Sequence, residues 1–136
     1  MNQPIFSSPR AVRFQDIDAA GIIFFAKAFE FFHDAYVECL QHHHVELHKV
    51  LASGAWIAPI VHAESDYKHP MRFGDHVTVE LSGAQLKERS MTIEYIIRSG
   101  DKIFVTGKTA HVFLDKVSMR PCPIPPEIRA IFEQKG

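Results

Sequence analysis

Large apolar side chains recur at three- and four-residue spacing through one uninterrupted stretch. They are Phe25, Phe29, Phe32, Tyr36 and Leu40, flanked by Phe24, Phe31, Ala28 and Ala35. That period belongs to an α-helix, and an arc this wide does not suit a helix lying on a surface. The spacing predicts a helix from Phe24 to about Lys49, with Lys27, Glu30, Asp34 and Glu38 on its wet side and Ser53-Gly54 closing it. Such a helix must be covered on most of its circumference. A curved sheet covers one side, and a second subunit helps to cover the rest.

The remainder of the chain supplies the strands. Val12, Phe14 and Asp16 alternate with Arg13 and Gln15, predicting a first strand after a loose arm over residues 1–9. A second strand is expected from about Trp56 to Tyr67, with Pro59 marking an edge or bulge near its start. Val77, Val79 and Leu81 alternate in a third, which Gly83 bends. Met91, Ile93, Tyr95 and Ile97 mark a fourth, and Ser99-Gly100-Asp101 turns it into a fifth running from Lys102 to about Asp115. Prolines 121, 123, 125 and 126 lead into a short helix near Glu127 to Glu133. One helix followed by sequential strands argues for an α+β fold in a single domain over residues 10–136.

Composition narrows the function classes. A net charge of −1 leaves no electrostatic footprint for nucleic acid. No apolar run is long enough for a membrane span, and Met1 to Arg10 lacks the apolar core of a signal peptide. Cys39 and Cys122 suggest neither a disulfide framework nor a zinc site, so the cytoplasm is the expected compartment.

The chemistry concentrates where the acidic turn Asp16-Ile17-Asp18-Ala19-Ala20-Gly21 runs into the aromatic helix. A helix start offers unpaired N–H groups and the positive end of the dipole. A carboxylate beside it can attack a carbonyl, or direct water at one, while the N–H groups receive the carbonyl oxygen. Asp18 is the candidate catalyst, weighed against a plain capping carboxylate. Asp16 reads as a structural acid that bonds the turn. Gly21 allows a positive φ or a close approach of substrate to backbone. Phe24, Phe29 and Phe32 can stack on an aryl group near the helix start. His42, His43, His44 and His48 suit a solvated helix end better than a metal site, since no third ligand accompanies the His44/His48 pair. A lone His62 in a strand is most simply an interface or core residue.

The segment Arg13-Phe14-Gln15-Asp16-Ile17-Asp18-Ala19-Ala20-Gly21-Ile22-Ile23-Phe24 resembles the Asp-x-Asp-x-x-Gly-apolar-apolar-aromatic motif of the 4-hydroxybenzoyl-CoA thioesterase family of hotdog-fold proteins. The likeness spans about residues 10–118. Trp56 to Tyr67, with Pro59, Val61, His62 and Ala63, then Pro70 and Gly74-Asp75, is similar to the branch that hydrolyses 1,4-dihydroxy-2-naphthoyl-CoA on the way to quinones. The resemblance implies an antiparallel five-stranded sheet wrapped around one long central helix. It implies a homodimer, or a tetramer as a dimer of dimers, with the site at the subunit interface and no cofactor. The essential carboxylate matches Asp18 and the oxyanion donor the Phe25 N–H. Trp56 and His62 would line the substrate pocket, His62 reaching aryl hydroxyls. Lys87, Arg89, Arg98, Lys102 and Lys108 are candidates for the CoA phosphates, weighed against ordinary solvated surface charge, and Lys87 and Arg89 match basic positions for the nucleotide. Many members carry His or Tyr where this chain has Phe25, and Asn where it has Lys27. Phe25 leaves Asp18 without an imidazole assistant and fits the naphthoyl branch. The implied activity is hydrolysis of an aromatic acyl-CoA. A broad short- or medium-chain acyl-CoA hydrolase and a non-catalytic acyl-CoA-binding protein are the alternatives.

Overall fold

A computed structural model describes residues 3–133. In chain order the elements are β1 (Phe6–Ala11), α1 (Lys27–His42), α2 (Leu47–Ser53), β2 (Trp56–Ile57), β3 (Ile60–Tyr67), β4 (His76–Leu86), β5 (Ser90–Ser99), β6 (Lys102–Val112), β7 (Leu114–Asp115) and α3 (Pro126–Phe132). Five strands form one antiparallel sheet in the order β1-β4-β5-β6-β3, and β2 pairs with β7 in a small second sheet. The class is α+β, as expected, with three α-helices among the described residues.

β4 and β5 follow their alternation because one face of the sheet is buried. Along β5, Met91, Ile93, Tyr95 and Ile97 point into the core while the residues between them stay half-wet. Gly83 lies at a register shift in β4, as its position suggested, and Gly100 takes φ 58° in the tight β5–β6 turn. Helix α1 lays Phe31, Phe32, Ala35, Tyr36, Cys39 and Leu40 onto this face. Phe32 stacks on Tyr95 with ring centroids 4.6 Å apart. It also sits so close to Gly107 of β6 that a Cβ there would meet its ring.

Several boundaries differ from expectation. Residues 6–9 are part of β1 rather than a loose arm; residues 1–2, and 134–136 at the other end, lie outside the described residues. The alternation at residues 12–16 is no strand: Phe14–Asp16 is a 3-10 turn, and Phe14 is exposed. The long helix is two helices. His44 takes φ 65°, the Val45 N–H bonds the Leu40 carbonyl at 2.9 Å, and Val45 is buried. This is a left-handed helix ending closed by an apolar contact, made by histidine where glycine is usual. Pro59 splits the second strand into β2 and β3, and the fifth strand leaves the main sheet after Val112 to form β7.

Candidate active site

The site is built on Asp16, whose side chain is fully buried. Its carboxylate accepts the Arg13 backbone N–H at 2.9 Å and the Arg13 guanidinium at 3.1 and 3.0 Å. Burial pushes this carboxyl up, but the Arg13 hydrogen bonds and charge, with Lys27 beyond, outweigh it and hold it below the usual carboxylate value. The Asp16 carbonyl then accepts the Phe24 N–H at 2.8 Å, fixing the approach to α1.

Between these anchors the chain makes a tight reversal. Ile17 bridges Ile23. The Asp18 N–H bonds the Ile22 carbonyl at 2.8 Å, and the Gly21 N–H returns to the Asp18 carbonyl at 3.0 Å. Gly21 holds φ 81° with nothing near its missing Cβ, so glycine is required there by backbone angle and not by crowding. Asp18 ends the reversal exposed, one carboxylate oxygen accepting the Ala20 N–H at 2.8 Å.

Asp18 lines a cleft of about 410 Å³ together with Phe24, Phe25, Tyr67, Lys68 and His69. Phe24 and Phe25 rings lie 4.9 Å apart, and Phe25 is 62% exposed. Among the described residues the Phe25 N–H enters no hydrogen bond, and α1 begins without a side-chain cap. An exposed carboxylate, a free amide at a helix start and aromatic walls therefore share one place. That set can bind a flat acyl group, stabilise an oxyanion and activate an attacking oxygen.

Not every expected residue is here. Phe29 packs edge-on against Phe32 and lines a separate groove of about 350 Å³ between α1 and β3. Trp56 tilts against Phe113 at 5.7 Å, packing the small sheet. His62 stands exposed on β3 with its Nε2 2.9 Å from Glu64. Lys87 and Arg89 occupy the β4–β5 turn, with the Lys87 carbonyl accepting Arg129 at 2.5 Å. The Asp18 turn leaves β1 beside His76, at the start of β4. One whole strand, about 33 Å at ~3.3 Å per residue, therefore separates it from Lys87 within a single chain. Conversely, Tyr67, Lys68 and His69 line the cleft without being candidates from the sequence. Nothing in local spacing links them to the Asp18 turn, because the link is tertiary.

The sequence matches the model of the thioesterase-like superfamily over residues 12–132. It is 31% identical over 121 residues to a 1,4-dihydroxy-2-naphthoyl-CoA hydrolase of Synechococcus elongatus, covering 88% of this chain and 89% of that one. It is 32% identical over 123 residues to the protein of the same name from Nostoc punctiforme, covering 90% and 83%. Among solved structures, a 1,4-dihydroxy-2-naphthoyl-CoA thioesterase from Synechocystis superposes with TM-score 0.88 at 25% identity, covering 95% and 96% of the two chains. A gentisyl-coenzyme A thioesterase superposes with TM-score 0.81 at 26% identity, covering 93% and 98%. With the match running through nearly all of the described residues, the chain belongs to the thioesterase-like superfamily.

Proposed function

We propose that this protein is a cytoplasmic acyl-CoA thioesterase that hydrolyses an aromatic acyl-CoA, 1,4-dihydroxy-2-naphthoyl-CoA before others, to the free acid and CoA. The observation that carries the reading is that Asp18 and Phe25, whose N–H is unengaged, line one aromatic cleft. The relatives' names supply the substrate class.

An oxygen attacks the thioester carbonyl carbon, and the C=O electrons move onto the oxygen facing the Phe25 N–H and the positive end of α1. Collapse restores the C=O and breaks the C–S bond, and the CoA thiolate takes up a proton. If Asp18 is a general base, it removes the proton of the attacking water and the sulfur later receives one. If Asp18 is the nucleophile, a mixed anhydride forms and water opens it. No cofactor enters either route. Phe24 is assigned to the aryl group, and Gly21 to shaping the reversal that presents Asp18.

The open edge of the sheet supports an oligomer. β3 is an eight-residue edge strand with almost every residue exposed, Ile60 and Val61 among them, and an open edge of that kind invites pairing. Antiparallel pairing of two β3 strands joins the sheets, wraps the α1 helices as long central helices, and reverses the second copy. The β4–β5 turn of that copy, bearing its Lys87 and Arg89, then lies at the Asp18 end, where the CoA phosphates need cations. His62, Trp56 and Phe29 are assigned to the same composite site, and two such dimers to a tetramer.

A substrate panel tests the reading. kcat/KM for 1,4-dihydroxy-2-naphthoyl-CoA is expected to exceed that for acetyl- and hexanoyl-CoA by about 10²-fold or more, the scale set by filling or leaving empty an aryl pocket. Equal turnover of short chains would make the protein a broad hydrolase. Binding without turnover of any thioester would make it a carrier.

A further inference from the structure

We propose that Tyr67 is a positioning residue that holds the Phe25 backbone in place for oxyanion binding. This rests on the thioesterase reading above. Tyr67 is the last residue of edge strand β3, and its hydroxyl donates to the Phe25 carbonyl at 2.5 Å across 42 residues of sequence. Phe25 otherwise has little to hold it. Its ring is exposed, and neither its N–H nor its carbonyl takes part in any other hydrogen bond among the described residues. The neighbouring ties fall on Phe24, whose N–H bonds Asp16 and whose carbonyl accepts Lys27, both at 2.8 Å.

The economy of the Tyr67 contact lies in which end of the residue it engages. An oxyanion donor must be rigid yet unspent. A bond to the Phe25 N–H would fix the residue and consume the donor. A bond to its carbonyl fixes the residue and leaves the donor free. Polarising the Phe25–Ala26 peptide also strengthens the Ala26 N–H, the next donor at the helix start. Because Tyr67 terminates the strand whose outer edge is open, a second copy paired there would stiffen the same anchor.

Tyr67→Phe removes the hydroxyl and keeps the ring. A misplaced oxyanion amide is expected to lower kcat by roughly 10- to 10²-fold, with KM within about twofold of the parent, since the lost interaction belongs to the transition state. The acid limb of the pH–kcat profile keeps the parent's midpoint, because the attacking group is untouched. In the assembled, substrate-free protein, the order parameters of the Phe25 and Ala26 amides fall from the rigid range of about 0.85 towards about 0.6. Unchanged kcat, or a raised KM with unchanged kcat, overturns the positioning role, and so do unchanged order parameters. Tyr67→Leu, apolar and without any donor, gives the second reading if Tyr67→Phe fails to assemble. A parent inactive on every thioester sinks the proposed function instead, and the order parameters then decide the Tyr67 tie alone.

Discussion

Two residues of opposite character show how single side chains set the molecule's properties. Asp16 is buried and charged because Arg13 reaches over it from three positions upstream. His111 is buried and neutral, 1% exposed. Its Nε2 meets the Thr109 hydroxyl at 2.8 Å, which meets the Tyr95 hydroxyl at 2.8 Å. Its Nδ1 has no partner among the described residues, Tyr36 covers it with ring centroids 4.8 Å apart, and His33 is near enough for its charge to be felt. Desolvation first, and His33 second, push its pKa down to about 4 from 6.5. The sign follows: the unfolded chain takes up a proton at this site below about pH 6.5 and the fold does not. Stability is therefore whole above that pH and lost as pH falls towards 4, by roughly 3 kcal/mol in all. The other eight histidines are exposed. Denaturant titrations at a series of pH values check this. The slope between pH 6.5 and 4 is expected to shrink markedly in His111→Leu, and an equal slope in both proteins would assign it elsewhere.

At the scale of elements, the contact between α1 and the sheet is close enough to forbid a methyl group. A Cβ on Gly107 would press on the Phe32 ring and, at 2.8 Å, on the Glu64 carbonyl of β3. Gly107→Ala is expected to cost about 1–3 kcal/mol in equilibrium unfolding; a neutral result would mean that helix and strand part freely. Elements of this kind were legible in the sequence to different degrees. β4 and β5 declared themselves, because one buried face imposes alternation, and β6 followed from the Ser99-Gly100-Asp101 turn. β1 did not: an edge strand holding Pro9 and two serines carries little apolar pattern. The end of α1 was hidden because His44, with neither Gly nor Pro nearby, adopts the left-handed conformation to bury Val45. The core of the candidate site was legible because it is local. Asp18, Gly21, Phe24 and Phe25 lie within one reversal and one helix start. Tyr67 was not, since its bond to Phe25 exists only once β3 has docked.

The whole molecule is expected to work as a pair. Within one chain the cleft holds a carboxylate and a free amide, while Lys87 and Arg89 stand a strand's length away. The proposed pairing along β3 would bring the two ends together. Val61→Glu places a charge on the exposed face of that edge, and an uncompensated buried charge weakens association by about 10²-fold or more. Sedimentation is expected to show a shift from dimer to monomer with the circular dichroism unchanged and activity falling in parallel. A monomer as active as the parent would show that each chain carries a complete site. In the proposed reaction the Asp18 carboxylate does the chemistry. The most direct measurement is thiol release from 1,4-dihydroxy-2-naphthoyl-CoA by the parent and by Asp18→Asn, with assembly checked in both. In an intact oligomer kcat is expected to fall by at least about 10²–10⁴-fold; an intact variant that turns over at the parent's rate would rule out Asp18 as the catalyst.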